Sequence, residues 1–173
     1  MKKIDSTWEQ RVADLWKASD NHSPDAFVAQ MDVLAAELPP HDAVGLFERG
    51  SAQDSTGHSD LAVPLYRAAL NAGLTGPRRR EATIQLASSM RNLGNAQEAA
   101  DLLAAEARVT SDELDGAVQA FLALALADLG REREALAISL TALSRYLPQY
   151  NRSLASYASE IAQLDGAGSH TSG

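Results

Sequence analysis

Apolar residues recur every three or four positions along most of this chain, and nowhere in the sustained alternation with polar residues that a half-buried strand requires. The pattern predicts helices near residues 5–19, 24–38, 41–55, 59–73, 77–93, 95–108, 112–129, 131–147 and 151–164. The breaks carry turn chemistry. Pro39-Pro40 separates two helices because the residue before a proline is pushed out of the helical region, and Pro77 suits a first helical position, where its missing N–H costs nothing. In the last helix, "NRSLASYASEIAQL", Leu154, Tyr157, Ala158, Ile161 and Leu164 share a face, as a helix covering the end of a stack should. The tail, residues 166–173, is small and polar and is expected to be disordered.

The breaks repeat. "DSTGHSDLAVPLYRAAL", "RNLGNAQEAADLLAAEA" and "ADLGREREALAISLTAL" each place a glycine five residues before an alanine: Gly57 and Ala62, Gly94 and Ala99, Gly130 and Ala135. The glycines are 37 and then 36 residues apart. A glycine at positive φ ends one helix, and the alanine lets the next approach closely. Leucines such as Leu65, Leu70 and Leu74, or Leu136, Leu140 and Leu143, are expected to bury the second helix of each pair. Asn21 and Ala26 continue the spacing backwards, which predicts a degenerate first repeat at 5–38 before repeats at about 41–74, 77–109 and 112–148. A pair of this kind cannot bury its apolar face alone and must stack on its neighbours.

These residues resemble the tetratricopeptide repeat, whose core is a glycine, a following alanine, an aromatic four residues later and a further alanine. Gly50, Gly57, Ala62, Tyr66 and Ala69 match most fully; Ala87, Gly94, Ala99 and Leu103, and Ala123, Gly130, Ala135 and Ala142, match in part. The segment from Leu61 to Leu103 also resembles a small bacterial subfamily of these repeats. The resemblance covers roughly residues 41–148 and implies an all-α, right-handed superhelical stack of antiparallel helix pairs, an α-solenoid with a C-terminal capping helix, forming a single domain over residues 1–165. It further implies an interaction scaffold that holds a partner peptide or helix in its concave groove. The period exceeds the usual 34 residues, Glu106 stands where a small residue is expected, and Ser139 replaces an aromatic.

Composition narrows the chemistry. The chain has 173 residues, no cysteine and a formal charge of −8, which excludes disulfides and thiolate metal sites and argues against nucleic acid as the main partner. The opening "MKKIDSTWEQRVADLW" lacks the apolar run of a leader, and no stretch is long enough for a membrane span; a cytoplasmic protein is expected. His22, His41, His58 and His170 fall in turns, helix starts or the tail without metal-ligand spacing. No enzyme, metal or cofactor is expected.

Projection of the repeats onto the groove face selects Arg11 in the first repeat, Phe47 and Ser51 in the second, Ile84, Ser88, Arg91 and Asn92 in the third, and Leu124 in the last. The lysine, arginine and asparagine with which related domains clamp a C-terminal carboxylate are missing; the corresponding places hold Phe47, Ser51, Gln85, Ala117 and Phe121. Arg78, Arg79 and Arg80 form the most concentrated cation cluster, in the first turn of a helix, where the macrodipole disfavours them. Arg80 and Arg91 share a helix face about 16 Å apart, which suits an acidic peptide. The alternatives are a homodimer pairing through exposed Trp8 and Trp16, and a small-anion or nucleotide site at Arg78, Arg79 and Arg80.

Overall fold

The structure, a computed structural model, describes residues 6–109 and 112–167, with side chains as far as residue 163. Among the described residues there is no strand. The elements in order are α1 (Ser6–Lys17), a 3-10 turn (Ser19–Asn21), α2 (Pro24–Ala35), α3 (Ala43–Ser55), α4 (Ser59–Asn71), α5 (Pro77–Asn92), α6 (Ala96–Glu106), α7 (Asp115–Asp128), α8 (Glu132–Ser144) and α9 (Asn151–Ala167). Helices consecutive in sequence pack on one another, α1 on α2, α2 on α3, α3 on α4, then α6 on α7, α7 on α8 and α8 on α9. The chain divides into two compact units, Met1–Ser89 and Met90–Gly173.

The repeated glycines end helices as their spacing predicts. Gly94 has φ +85°, and Asn95 N–H reaches back to the Met90 carbonyl at 2.9 Å, closing the end of α5 with the bond that a left-handed residue permits. The same backward bond follows Gly57, from His58 to Gln53, and Gly130, from Arg131 to Leu126, each at 2.9 Å. The alanines five residues on, Ala62, Ala99 and Ala135, are buried. At Gly50 the approach is closer still: a Cβ there would lie 3.0 Å from the Tyr66 ring, so a larger residue would have to push the ring aside by a few tenths of an ångström.

In the first unit the core gathers Trp8, Val12, Leu15, Phe27, Met31 and Ala52. Both tryptophans are used internally. Trp8 is buried, with Nε1 donating to the Leu34 carbonyl at 2.8 Å, and half-buried Trp16 stacks edge-on against Phe27 at 4.9 Å while donating to Glu48 at 2.9 Å. They therefore offer no exposed apolar face, and a homodimer built on them loses its basis. The first repeat also differs from expectation. Asn21 does not take a left-handed backbone; a 3-10 turn leads instead to Ser23, which caps α2 through its hydroxyl at the Ala26 N–H. Ala26 is exposed and Phe27 takes the interior position, because the Ser23 cap, immediately before Pro24, sets where the helix begins and so which residues face inward.

In the second unit, Leu103, Val118, Leu122 and Leu126 are buried among many alanines. Gly116 leaves room for the Tyr146 hydroxyl, which settles over the start of α7, and Arg145 reaches Asp115 at 3.7 Å. Leu136 and Leu143 are each 48% exposed, contrary to their expected burial, and Tyr157 on α9 is 60% exposed. The inward stripe of α8 falls on small residues, Ala135, Ala137 and Ala142, and that of α9 on Ala158. Helix α9 continues past its expected end to Ala167; the remainder of the expected disordered tail, 168–173, and the side chain of Leu164 lie outside the described residues.

Gly94→Ala is expected to cost about 1 kcal/mol through its left-handed backbone and to lower the thermal midpoint by roughly 2–4 °C. An unchanged midpoint in calorimetry would overturn the role given to this turn.

Candidate functional site

The arginines at the start of α5 illustrate how a sequence-level cost is met in three dimensions. Arg78 turns away from the positive end of its own helix and meets two carboxylates of the first unit: Nη1 and Nη2 donate to Glu9 at 3.0 and 2.6 Å, and Nε donates to Glu48 at 2.9 Å. One guanidinium therefore joins α1, α3 and α5, using the planar fork that only arginine has. Glu48 is buried, with its side chain 5% exposed, and its other oxygen accepts from Trp16. Burial pushes the Glu48 carboxyl above its ordinary value, outweighing the hydrogen bond from Trp16 and the attraction of Arg78. For Arg78 the balance runs the other way: burial would lower its pKa, but Glu9 and Glu48 hold it above its usual value.

Arg79 is half-buried, and Arg80 is interior at 2% exposure. An anion at the expected Arg78, Arg79 and Arg80 site would have to compete with Glu9 and Glu48 for Arg78.

The other expected groove residues of the first unit are mostly interior. Phe47 and Ile84 are 4% and 5% exposed, and Ser51 is 6% exposed. The Phe47 ring tilts against Tyr66 at 6.2 Å. Tyr66 donates its hydroxyl to Gln85 at 2.6 Å and lies 3.4 Å from the Ser51 hydroxyl, and burial raises its phenol well above the usual range. Below them Ser89 donates to Asp54 at 2.7 Å. These side chains stitch α3, α4 and α5 together rather than offering a surface. Projection onto one face misplaced them because a helix in a stack touches several neighbours, which narrows the stripe left to solvent. Ser88 is half-buried. Arg11 is exposed and held by Glu37 in a fork-like pair, Nη1 to Oε1 at 2.7 Å, and that hydrogen bond keeps the Glu37 carboxyl below its ordinary value.

The second unit presents a different surface. Arg91 is paired with Asp128, Nε to Oδ2 at 2.6 Å, and Asn92 is exposed. Helix α7, "DGAVQAFLALALAD", is apolar on nearly every side. Such a helix is ordinarily covered all round. Val118, Leu122, Ala123, Ala125 and Leu126 are indeed buried, yet Leu124 is 44% exposed and Ala120 is exposed. With half-buried Ala117 and Phe121 they form one stripe at helical spacing that ends at the Asp128–Arg91 pair. The signal was present in the sequence, since a helix without a polar face announces a second contact. Projection of the repeats selects Leu124 on this side, and in the fold it stays exposed.

Among the described residues no group of three or more histidines, aspartates or glutamates is placed to hold a metal ion, and no helix is long and apolar enough to cross a membrane. Residues 43–161 match the family model described as Tetratrico peptide repeat. No curated protein matches the chain, and no solved structure does. The family match covers well over half of the chain, which therefore belongs to the tetratricopeptide-repeat family.

The two shifted carboxyls make opposite contributions to pH dependence. Folding raises the proton affinity of Glu48, so its contribution is fully present below the unfolded value of 4.5 and is lost as pH rises through the higher folded value. Glu37 is lowered, so its contribution is present above 4.5 and is lost as pH falls through its folded value. Stability measured by denaturant titration is expected to show the wild type gaining on Glu48→Gln as pH falls towards 4.5; parallel curves would refute the assignment.

Proposed function

We propose that this tetratricopeptide-repeat protein is a non-enzymatic interaction scaffold that grips a partner peptide or helix along the open face of α7. Members of the family generally serve as protein–protein interaction modules. The observation that carries the reading for this chain is Leu124, 44% exposed on an apolar helix between the buried Leu122 and Leu126. Covering a leucine removes apolar surface from water and is worth about 1.5–3 kcal/mol when complete. Half-buried Phe121 and exposed Ala120 extend the patch in one direction, and the Arg91–Asp128 pair stands at its other end as a polar fixture that orients a backbone.

The arginines do not support an acidic partner. Arg80 is interior and Arg91 already answers Asp128, so the preference expected from these two cations is not retained in the proposal. The reading places recognition on apolar contact, with Leu124 as the anchor residue.

Peptides displayed as a library and selected on the whole chain are expected to carry two or three large apolar side chains. Leu124→Arg should weaken the selected peptides by about 2 kcal/mol, the scale of an interface anchor, while leaving the melting midpoint nearly unchanged because the side chain is half exposed. Equal binding to wild type and variant would sink the proposal.

A further inference from the structure

From the uncovered face of α8, we propose that two copies of this chain pair with each other through it, α8 antiparallel to α8. The pairing does not depend on the docking face of α7. The spacing that sets Gly130 36 residues after Gly94 also aligns α8 with α6. In α6 the aligned residues run small, large, small: Ala100 and Leu103 are 3% and 1% exposed, and Ala107 follows. Helix α8 inverts the order to large, small, large, with Leu136, Ser139 and Leu143. Both leucines are 48% exposed, and Ser139 is exposed. Stacking in α6 asks only for alanine at the outer two positions. The leucines of α8 exceed that need, and large apolar side chains grouped at half exposure mark a further contact.

The face matches itself. Leu136 and Leu143 lie two turns apart, about 10 Å along the helix, evenly to either side of Ser139 and half-buried Leu140. Turned end for end, such a face meets its own copy, as a twofold interface requires. Leu136 of each copy then lies against Leu143 of the other, and Leu140 against its counterpart between them. Ser139 lets the backbones come close at the crossing. Its hydroxyl already donates to the Ala135 carbonyl at 2.8 Å, so covering it strands no donor. Charge also selects a second copy and its direction. Helix α8 carries no charged residue from Ala135 to Ser144, and on a chain of formal charge −8 a charge-free face is where two copies meet least repulsion. Exposed Glu132 stands at one end of the face. Antiparallel pairing keeps the two Glu132 side chains about 22 Å apart, beyond the screening length of about 8 Å at physiological salt, whereas parallel pairing sets them side by side. One helix face buries less than the roughly 1,200 Å² of a standard interface, so the pair is reversible. A pair carries the α7 face twice, which makes the scaffold bivalent for whatever that face holds.

Sedimentation of the whole chain is expected to show a mass that rises with concentration from 18.4 kDa towards twice that value, with a dissociation constant on the order of 100 µM. Leu136→Ala combined with Leu143→Ala restores the residues of α6 and should weaken pairing at least about tenfold, with helicity and melting nearly unchanged because both side chains are half exposed. The chain has no cysteine, so cross-linking reads the geometry directly. Leu136→Cys combined with Leu143→Cys is expected to give covalent dimers under mild oxidation. Either substitution alone should cross-link poorly, because its two thiols sit about 10 Å apart and a disulfide needs Cα atoms within about 7 Å. If the alanine variant melts early, cross-linking decides. A wild type that stays monomeric to about 1 mM overturns the proposal. Equal cross-linking by the single and double cysteine variants overturns the antiparallel pairing. If Leu124→Ser abolishes association and the alanine variant does not, the copies meet through α7 and the proposal falls. If the chain stays monomeric while peptides selected on it are lost by the alanine variant, the occupant of α8 is a helix of another protein, and the proposal is again overturned.

Discussion

The fold depends on how closely two helix backbones can come together. Ala62, Ala99 and Ala135 are buried at the equivalent point of three successive second helices, and at Gly50 even a methyl group would press on the Tyr66 ring. Small residues at these points bring neighbouring helices near enough for leucines and methionines farther along to interlock at interior density. A glycine at positive φ then reverses the chain so that the next helix begins beside the last. Spacing and reversal together account for an all-helical chain with a modest stock of aromatic residues.

Polar groups hold what close packing brings together. In the first unit the Tyr66 hydroxyl, Ser51, Gln85, Ser89 and Asp54 satisfy one another between helices, so these polar atoms enter the interior with partners. Arg78 with Glu9 and Glu48 is a more expensive solution. Two carboxylates drawn towards one guanidinium lose water, and the upward shift of Glu48 records that loss. What this arrangement contributes is a tie between α1, α3 and the start of α5 through one guanidinium.

Features that depend on a short piece of chain were legible in the sequence. The glycines at 57, 94 and 130, the alanines that follow them and the start of α5 at Pro77 each express local backbone geometry or side-chain size. The first repeat was misread because Asn21 tolerates a left-handed backbone without requiring one, and Ser23 set the helix start instead. Phe47 and Ile84 share the periodicity of surface stripes, and periodicity cannot distinguish a face turned to solvent from one turned to a third helix. The partners of Arg78 depend on the fold: Glu48 is 30 residues away and Glu9 is 69 residues away, and each comes within reach only once α3 and α1 pack beside the start of α5.

Repeat arrays are commonly regarded as beads that can be added, removed or exchanged, because each unit touches only its neighbours. The salt bridges of Arg78 break that modularity. The turn between α4 and α5 looks like a natural seam, yet the cation on its far side neutralises two acids on its near side. A shuffling event at that seam would strand Glu9 and Glu48 as mutually repelling neighbours, one of them buried, so the opening helices and the first turn of α5 are constrained to be inherited together.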